Sequence, residues 1–424
     1  MRPQYGIVTV VNEVSAALWQ IPRFAAARTR KMFCAGAQRI KKLKTLVPLY
    51  LLVLMAVFTH LGFAGSRLAV PLFAVDQGAG PFGVGTIVAL YAALPAVLAL
   101  PMGRMADRIG YKLPLLLGAC GIFTALILPW LFPSITTLYF VASLIGLSFM
   151  TFQLSIQTLV GAIAGPEGRA RNFSLLSLGY ASANFAGPLV AGVLIDTVGH
   201  ARTFGLLALP LIPAIALAAT TKRWIPIVHV KSVAVKGGML DLLRIKGLRN
   251  TLIASGIVSS AWDVYQFFMP IYGRSLGMSA TAIGLVLSAF AIAIIVVRLL
   301  VPFAVRHVGE TRLLTHAMFV ACAAFCLFPF FSNPWALAAV SFLLGVGAGV
   351  GQPLSMTLVF NASPKGREGE AAGMRITVNQ VAHFVIPLFF GAVGSSVGYA
   401  AVFLTNAGFL AVGGYISQRF LGKV

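Results

Sequence analysis

Acidic side chains are scarce in this chain: ten Asp and Glu among 424 residues, set against 32 Lys and Arg. Charged residues of both signs reach only 10%, where a water-soluble domain carries about 25%. So little charge cannot coat a soluble globule. With 59% hydrophobic residues and a mean hydropathy of +0.92, the chain is an integral membrane protein. Cysteine is sparse too, four in all. Cys34 precedes the first apolar run, and Cys120, Cys322 and Cys326 lie inside such runs. Cys322 and Cys326 share a helix face, but with no His or acid at that depth they read as buried free thiols, not metal ligands. Also missing are HExxH and the phosphate-cradling GxxxxGK[ST], which removes zinc proteases and self-powered ATPases from consideration, and GxSxG occurs only as Gly394-Ser395-Ser396-Val397-Gly398, at the end of an apolar run and not after a strand as a serine hydrolase needs. No cofactor is expected.

Apolar runs are what the chain has in abundance. A bilayer span needs about 17–25 residues. Twelve segments meet that length, near 46–74, 83–102, 113–132, 136–160, 174–195, 203–219, 250–272, 280–303, 313–331, 334–359, 374–395 and 399–417. They are continuously apolar with no period-two alternation, so they are helices rather than barrel strands. Of the 32 Lys and Arg, all but Arg67, Arg202 and Arg274 fall on one side of this arrangement. By the positive-inside rule that side is cytoplasmic, with both termini there, in the inner membrane of the cell. The formal charge of +22 is therefore an orientation signal, and no nucleic-acid partner is expected. Residues 1–45 read as a basic cytoplasmic arm on the anionic leaflet, disordered or lying on the surface.

A shift of 199 residues superposes Pro71 on Pro270, Gly78 on Gly277, Gly85 on Gly284, Gly110 on Gly309, Gly146 on Gly345 and Gln153 on Gln352. The same shift superposes Pro188 on Pro387, Gly192 on Gly391 and Gly199 on Gly398, and one residue of slippage aligns Pro166–Arg169 with Pro364–Arg367. Six helices are duplicated. Six being even, the copies insert in the same orientation as parallel repeats. The expected organisation is a bundle over 46–219, a cytoplasmic linker over 220–247, a second bundle over 248–418 and a tail over 419–424.

Polar residues obey the repeat. Ser259, Asp263 and Gln266 recur at i, i+4, i+7 and form one stripe on the seventh segment. The first segment carries His60 and Arg67 in register with Ser259 and Gln266. The fifth offers Ser177, Tyr180 and Asn184, and the eleventh answers with Asn379 and His383. Segments 3, 6, 9 and 12 are nearly free of strong hydrogen-bonding groups at their centres. The third helix of each triplet should therefore face lipid while the others line a midplane cavity between the halves.

The connection after the second segment reads Gly103-Arg104-Met105-Ala106-Asp107-Arg108-Ile109-Gly110-Tyr111-Lys112. It is similar to the G-x-L-A-D-R-x-G-R-K signature of the major facilitator superfamily, which the chain resembles over about residues 46–418. Gly103 permits close helix approach, Asp107 suits a neighbouring helix N-terminus, and Arg108 and Lys112 supply positive partners. The resemblance implies an all-α fold of two parallel six-helix bundles and a monomer moving a small molecule, with Gly103, Asp107, Arg108, Gly110 and Lys112 biasing which side is open. In the fifth segment Gly179, Ala183, Gly187, Pro188, Ala191 and Gly192 look like the motif of drug/proton antiporters, where small residues let helices pack closely. The Arg such antiporters carry in the fourth segment, four residues before a glycine, is Ala142 here.

Asp263 alone among the acids lies well inside a segment; Asp76 and Asp196 sit near outer ends. Arg67 and Asp263 differ in height by about 4.5 Å at ~1.5 Å per residue, which allows an inter-half pair made and broken during transport. The alternative is that Arg67 snorkels to headgroups while Asp263 is satisfied locally. His60 and His383 are of the side-chain type able to change charge near neutrality, Gln153 and Gln352 are retained by the duplication, and Tyr265 and Trp262 offer aromatic faces. The candidate cavity is therefore His60, Arg67, Gln153, Tyr180, Asn184, Asp263, Tyr265, Gln266, Gln352, Asn379 and His383. The function expected is alternating-access export of a small organic molecule, with protons or another ion as the coupling partner. The alternative is uptake of a small, anionic solute by symport or facilitation.

Overall fold

The computed structural model describes residues 23–109, 111–163, 169–224, 239–364 and 367–421. Residues 1–22 of the basic arm, Gly110 and residues 225–238 of the linker lie outside them, as do the side chains of Asp107, Arg108 and Gln352. Two compact units divide the chain, Met1–Leu51 and Leu52–Val424. The described part of the first unit is helical. Residues 23–45 belong to one helix, α1, Arg23–Asp76, because the Ala, Arg and Lys that dominate them are strong helix formers.

The second unit is all-helical, and no strand occurs among the described residues. After α1 come α2 (Pro81–Ile109), α3 (Lys112–Leu131), α4 (Ile135–Ile163) and α5 (Arg169–Val198). The sixth expected segment is broken into α6 (His200–Ala208) and α7 (Leu211–Trp224), since Pro210 has no N–H to continue the ladder. Then follow α8 (Lys246–Ser275), α9 (Ala280–Val308), α10 (Glu310–Leu327), α11 (Pro334–Ala362), α12 (Glu368–Ser396) and α13 (Tyr399–Ile416). Among the described residues, 11 helical stretches are long and apolar enough to cross a membrane. The twelfth, α8, has 30 residues and the length to span, but Asp263, Gln266 and its serines make it less apolar. The residues expected as the 103–112 loop are different again. Gly103 to Ile109 continue α2, with no proline or glycine between Arg104 and Ile109, and Lys112 opens α3.

The duplication is visible in the backbone. Gly78 and Gly277 turn at φ 86° and 74°, and Gly199 and Gly398 at 84° and 100°, each ending or capping a helix where a side chain would be strained. It is equally visible where the halves meet. Helix α2 packs along α12, and α5 packs along α9. The contact points are repeat-related: a Cβ on Gly284 would press on the Pro188 carbonyl, and one on Gly85 would press on the Pro387 carbonyl. Gly192 likewise faces Ala280, and Gly391 faces Pro81.

These contacts lie at the end of the bundle holding the 77–80, 199 and 276–279 connections, and polar bonds close it. Ser395 Oγ accepts from the Phe82 N–H at 2.9 Å. At the positions 199 residues away, the Asp196 carboxylate accepts from Ala280 N–H at 3.0 Å and Thr281 N–H at 2.7 Å. Each half thus caps the first turn of a helix belonging to the other, satisfying N–H groups that a helix start leaves unpaired. Asp76 completes the seal. Its Oδ1 accepts from Arg274 at 2.9–3.0 Å and its Oδ2 meets His200 Nε2 at 2.7 Å.

Candidate functional site

Helix α8 sorts its residues by angle. Ser259, Asp263 and Gln266 lie on one stripe, while Tyr265, two residues from Asp263, points about 200° away at ~100° per residue. Asp263 is only 3% exposed and receives His383 Nδ1 on its Oδ2 at 2.5 Å. His383 is half-buried. The pair ties α8 to α12, both in the C-terminal half. Asn379, one turn earlier on α12, accepts from Ser255 Oγ at 3.3 Å. Another turn earlier, Arg375 is 8% exposed and donates to Ser355 Oγ from Nε at 3.2 Å and from Nη2 at 2.8 Å. Arg375, Asn379 and His383 therefore form a second polar stripe at i, i+4, i+8, facing the first. Ser259, Trp262, Ser355, Arg375 and His383 line a narrow cleft between the stripes, and Gly351 forms part of its floor.

Two sequence expectations are corrected here. The pair anticipated between Arg67 and Asp263 is not made: His383 holds the carboxylate, and the Arg67 guanidinium lies 5.9 Å from the ring centres of Phe63 and Tyr91. His383 shares a half with Asp263 and reaches it from the next helix, whereas Arg67 is held in its own half by aromatic faces. Tyr265 is not a cavity residue. It is fully buried, donates to the Val286 carbonyl at 3.0 Å and packs on Phe290 and Phe328.

A second cluster stands in the N-terminal half. The His60 ring lies 4.8 Å from Tyr180, 5.2 Å from Phe149 and 5.6 Å from Phe63. Phe63 and Phe149 are stacked at 3.8 Å with 8° between their planes. His60 is 7% exposed, yet neither of its ring nitrogens has a hydrogen-bond partner, and neither does the Tyr180 hydroxyl. Asn184, one turn beyond Tyr180, borders the imidazole. Phe63, Arg67, Tyr180 and Asn184 are half-buried, so the cluster borders open space instead of a sealed core.

Of the other expected residues, Gln153 on α4 and Gln266 on α8 are half-buried, and the Gln352 side chain is outside the described set. The fifth-segment motif divides its labour. Gly187 closes on Ala64 and Gly65 of α1, and Gly179 on Val53 and Val57, all within one half. Only Pro188 and Gly192 face α9 across the halves, because they sit four residues apart on a different side of α5. The sequence reading missed Arg375, counting it only among the bases of the cytoplasmic side. Its spacing from Asn379 and His383 was the available signal. Phe63 and Phe149 were missed as well; Phe63 falls three residues after His60 and four before Arg67, on the same face.

The family model described as Major Facilitator Superfamily matches residues 52–244 and 251–423. Multidrug resistance protein MdtG of Citrobacter koseri is 25% identical over 317 residues, 72% of this chain and 77% of that protein. MdtG of Salmonella choleraesuis is 23% identical over 312 residues, with the same shares. Among solved structures, the nucleoside transporter NupG matches with TM-score 0.75 at 12% identity over 88% of this chain and 98% of its own. A POT family transporter in complex with a thioalcohol conjugated peptide gives 0.76 at 14% over 88% and 96%. A bacterial homolog of the human lysosomal transporter Spinster, inward-facing and unoccupied, gives 0.71 at 13% over 89% and 98%. These structural likenesses speak for the fold: an all-α membrane protein of two parallel six-helix bundles.

Proposed function

The chain belongs to the major facilitator superfamily, and we propose that within it the protein is a proton-driven exporter of small organic molecules. It is a multi-pass membrane transporter and not an enzyme. The direction draws support from the relatives named multidrug resistance proteins and from the antiporter-like glycines of α5. The charge asymmetry puts both termini in the cytoplasm. The end closed by Asp76, Asp196 and Ser395 is then external, and the conformation is the one open toward the cytoplasm.

The observation carrying the coupling is the Asp263–His383 pair. Asp263 is the acid buried at membrane depth, where an ionised carboxylate is costly unless paired. With one proton, Nδ1–H of a neutral imidazole donates to the carboxylate. With two, imidazolium and carboxylate form an ion pair. The half-exposed His383 edge connects this store to the cleft, and Arg375 and Ser259 border it. Uptake of a proton from outside, followed by release to the cytoplasm after the halves rock, returns the carrier for the next substrate. No strong base or cofactor beyond the pair is required.

A second reading, uptake of an anionic solute, is favoured by Arg67, which no carboxylate among the described residues holds. Inverted membrane vesicles separate the two. Vesicles acidified inside and loaded with a pH dye are exposed to a panel of organic compounds. An exporter lets protons out when a transported compound is added; an importer or facilitator leaves the interior acid.

A further inference from the structure

Resting on the transport reading above, we propose that the N-terminal half holds the recognition site for an aromatic organic anion. The rings of Phe63, Phe149 and Tyr180 take its flat apolar part, the Arg67 guanidinium takes its negative charge, and His60 with the Tyr180 hydroxyl takes its polar substituents. Three observations converge on this assignment. His60 is buried at membrane depth with Asn184 as its one polar neighbour and no well-aligned hydrogen bond at either nitrogen, beside an unpartnered Tyr180 hydroxyl. Buried polar groups are normally satisfied, and a packing role alone would be met by another Phe.

The second observation is charge. Arg67 rests only against ring faces, and among the described residues no carboxylate pairs with it. The acids of this half whose side chains are described within the spans are committed elsewhere: Asp76 and Asp196 seal the external end. In the other half Asp263 is occupied by His383. A lipophilic cation would find no free carboxylate among these groups, while an anion would find a guanidinium at low dielectric, where charge-assisted bonds are strong. The third is shape. The Phe63–Phe149 stack and the tilted His60 and Tyr180 rings pack against one another as one aromatic wall, whose outer ring faces and edges suit an aromatic guest over a branched aliphatic one. The C-terminal half then handles the proton and the N-terminal half the substrate.

The test is equilibrium binding to the purified full-length protein in nanodiscs, without any pH gradient, so a failure of proton coupling leaves the readout untouched. The probes are 2-naphthoate, cyclohexanecarboxylate with the same charge and no ring system, and the cation tetraphenylphosphonium. 2-Naphthoate is expected to bind tightest of the three. Arg67→Ala should weaken it about tenfold or more, Arg67→Lys less, and Tyr180→Phe several-fold. Thermal melting of each variant establishes that it is folded. Tighter binding of tetraphenylphosphonium than of 2-naphthoate overturns the proposal, and so does no binding of 2-naphthoate to a folded wild type. An unchanged 2-naphthoate affinity in folded Arg67→Ala overturns it as well.

Discussion

Asp263 and Tyr265 sit two residues apart on one helix and have opposite fates. The first faces a cleft and holds His383; the second is locked between Phe290, Phe328 and the Val286 carbonyl. Tyr265→Phe should therefore cost stability only, about 0.6 kcal/mol and at most ~1.7 as for interhelical bonds in membranes, with transport unchanged. A melting shift without a change in substrate range is the expected pair of results. Arg375 is the contrary case. Its guanidinium lines the cleft, so Arg375→Ala should slow transport about tenfold or more, with Arg375→Lys recovering part of it, measured as initial rates in proteoliposomes. The stripe on α8 was legible because spacing alone sets angle. Which carboxylate partner won was not, since helical periodicity places residues on faces but says nothing about which neighbouring helix faces them. Periodicity placed Arg375 at the start of the eleventh segment but could not show that its guanidinium turns inward to Ser355, and so it was left out of the candidate cavity.

Between helices, the duplication decides the interface. The α2–α12 and α5–α9 contacts use repeat-related Gly and Pro, and the cross-half caps use repeat-related Ser395 and Asp196. The glycine ladder was visible in the sequence. The caps were not, because Ser395 and Asp196 share no chemistry beyond accepting a hydrogen bond. Close approach at Gly284 leaves no room for a side chain beside the Pro188 carbonyl. Gly284→Leu should therefore hold the external end apart, and a cysteine placed at Ser395 should react faster with an impermeant maleimide in that background. Asp196→Asn keeps one acceptor but loses the charge at the start of α9. It should shift the same equilibrium outward by about 0.5–1 kcal/mol, whereas Ser395→Ala shifts it through the cap alone. Comparing the labelling rates of the two variants with a probe at a third external site reads out the difference.

For the whole molecule, the scarcity of acid shapes the mechanism. A chain with this composition has few carboxylates able to carry a proton across the bilayer, and among the described residues Asp263 is the one buried within a span and joined to a titratable partner. The membrane class, the segment count and the duplication follow from composition and spacing. The division of tasks between halves emerges only when the side chains of different helices meet. The account stands or falls on Asp263. Wild-type protein and Asp263→Asn, reconstituted in proteoliposomes and confirmed folded, are compared for substrate exchange at equal pH and for accumulation driven by an imposed pH gradient. The account predicts that Asp263→Asn keeps exchange and loses gradient-driven accumulation. Gradient-driven accumulation at the wild-type rate in Asp263→Asn would contradict it.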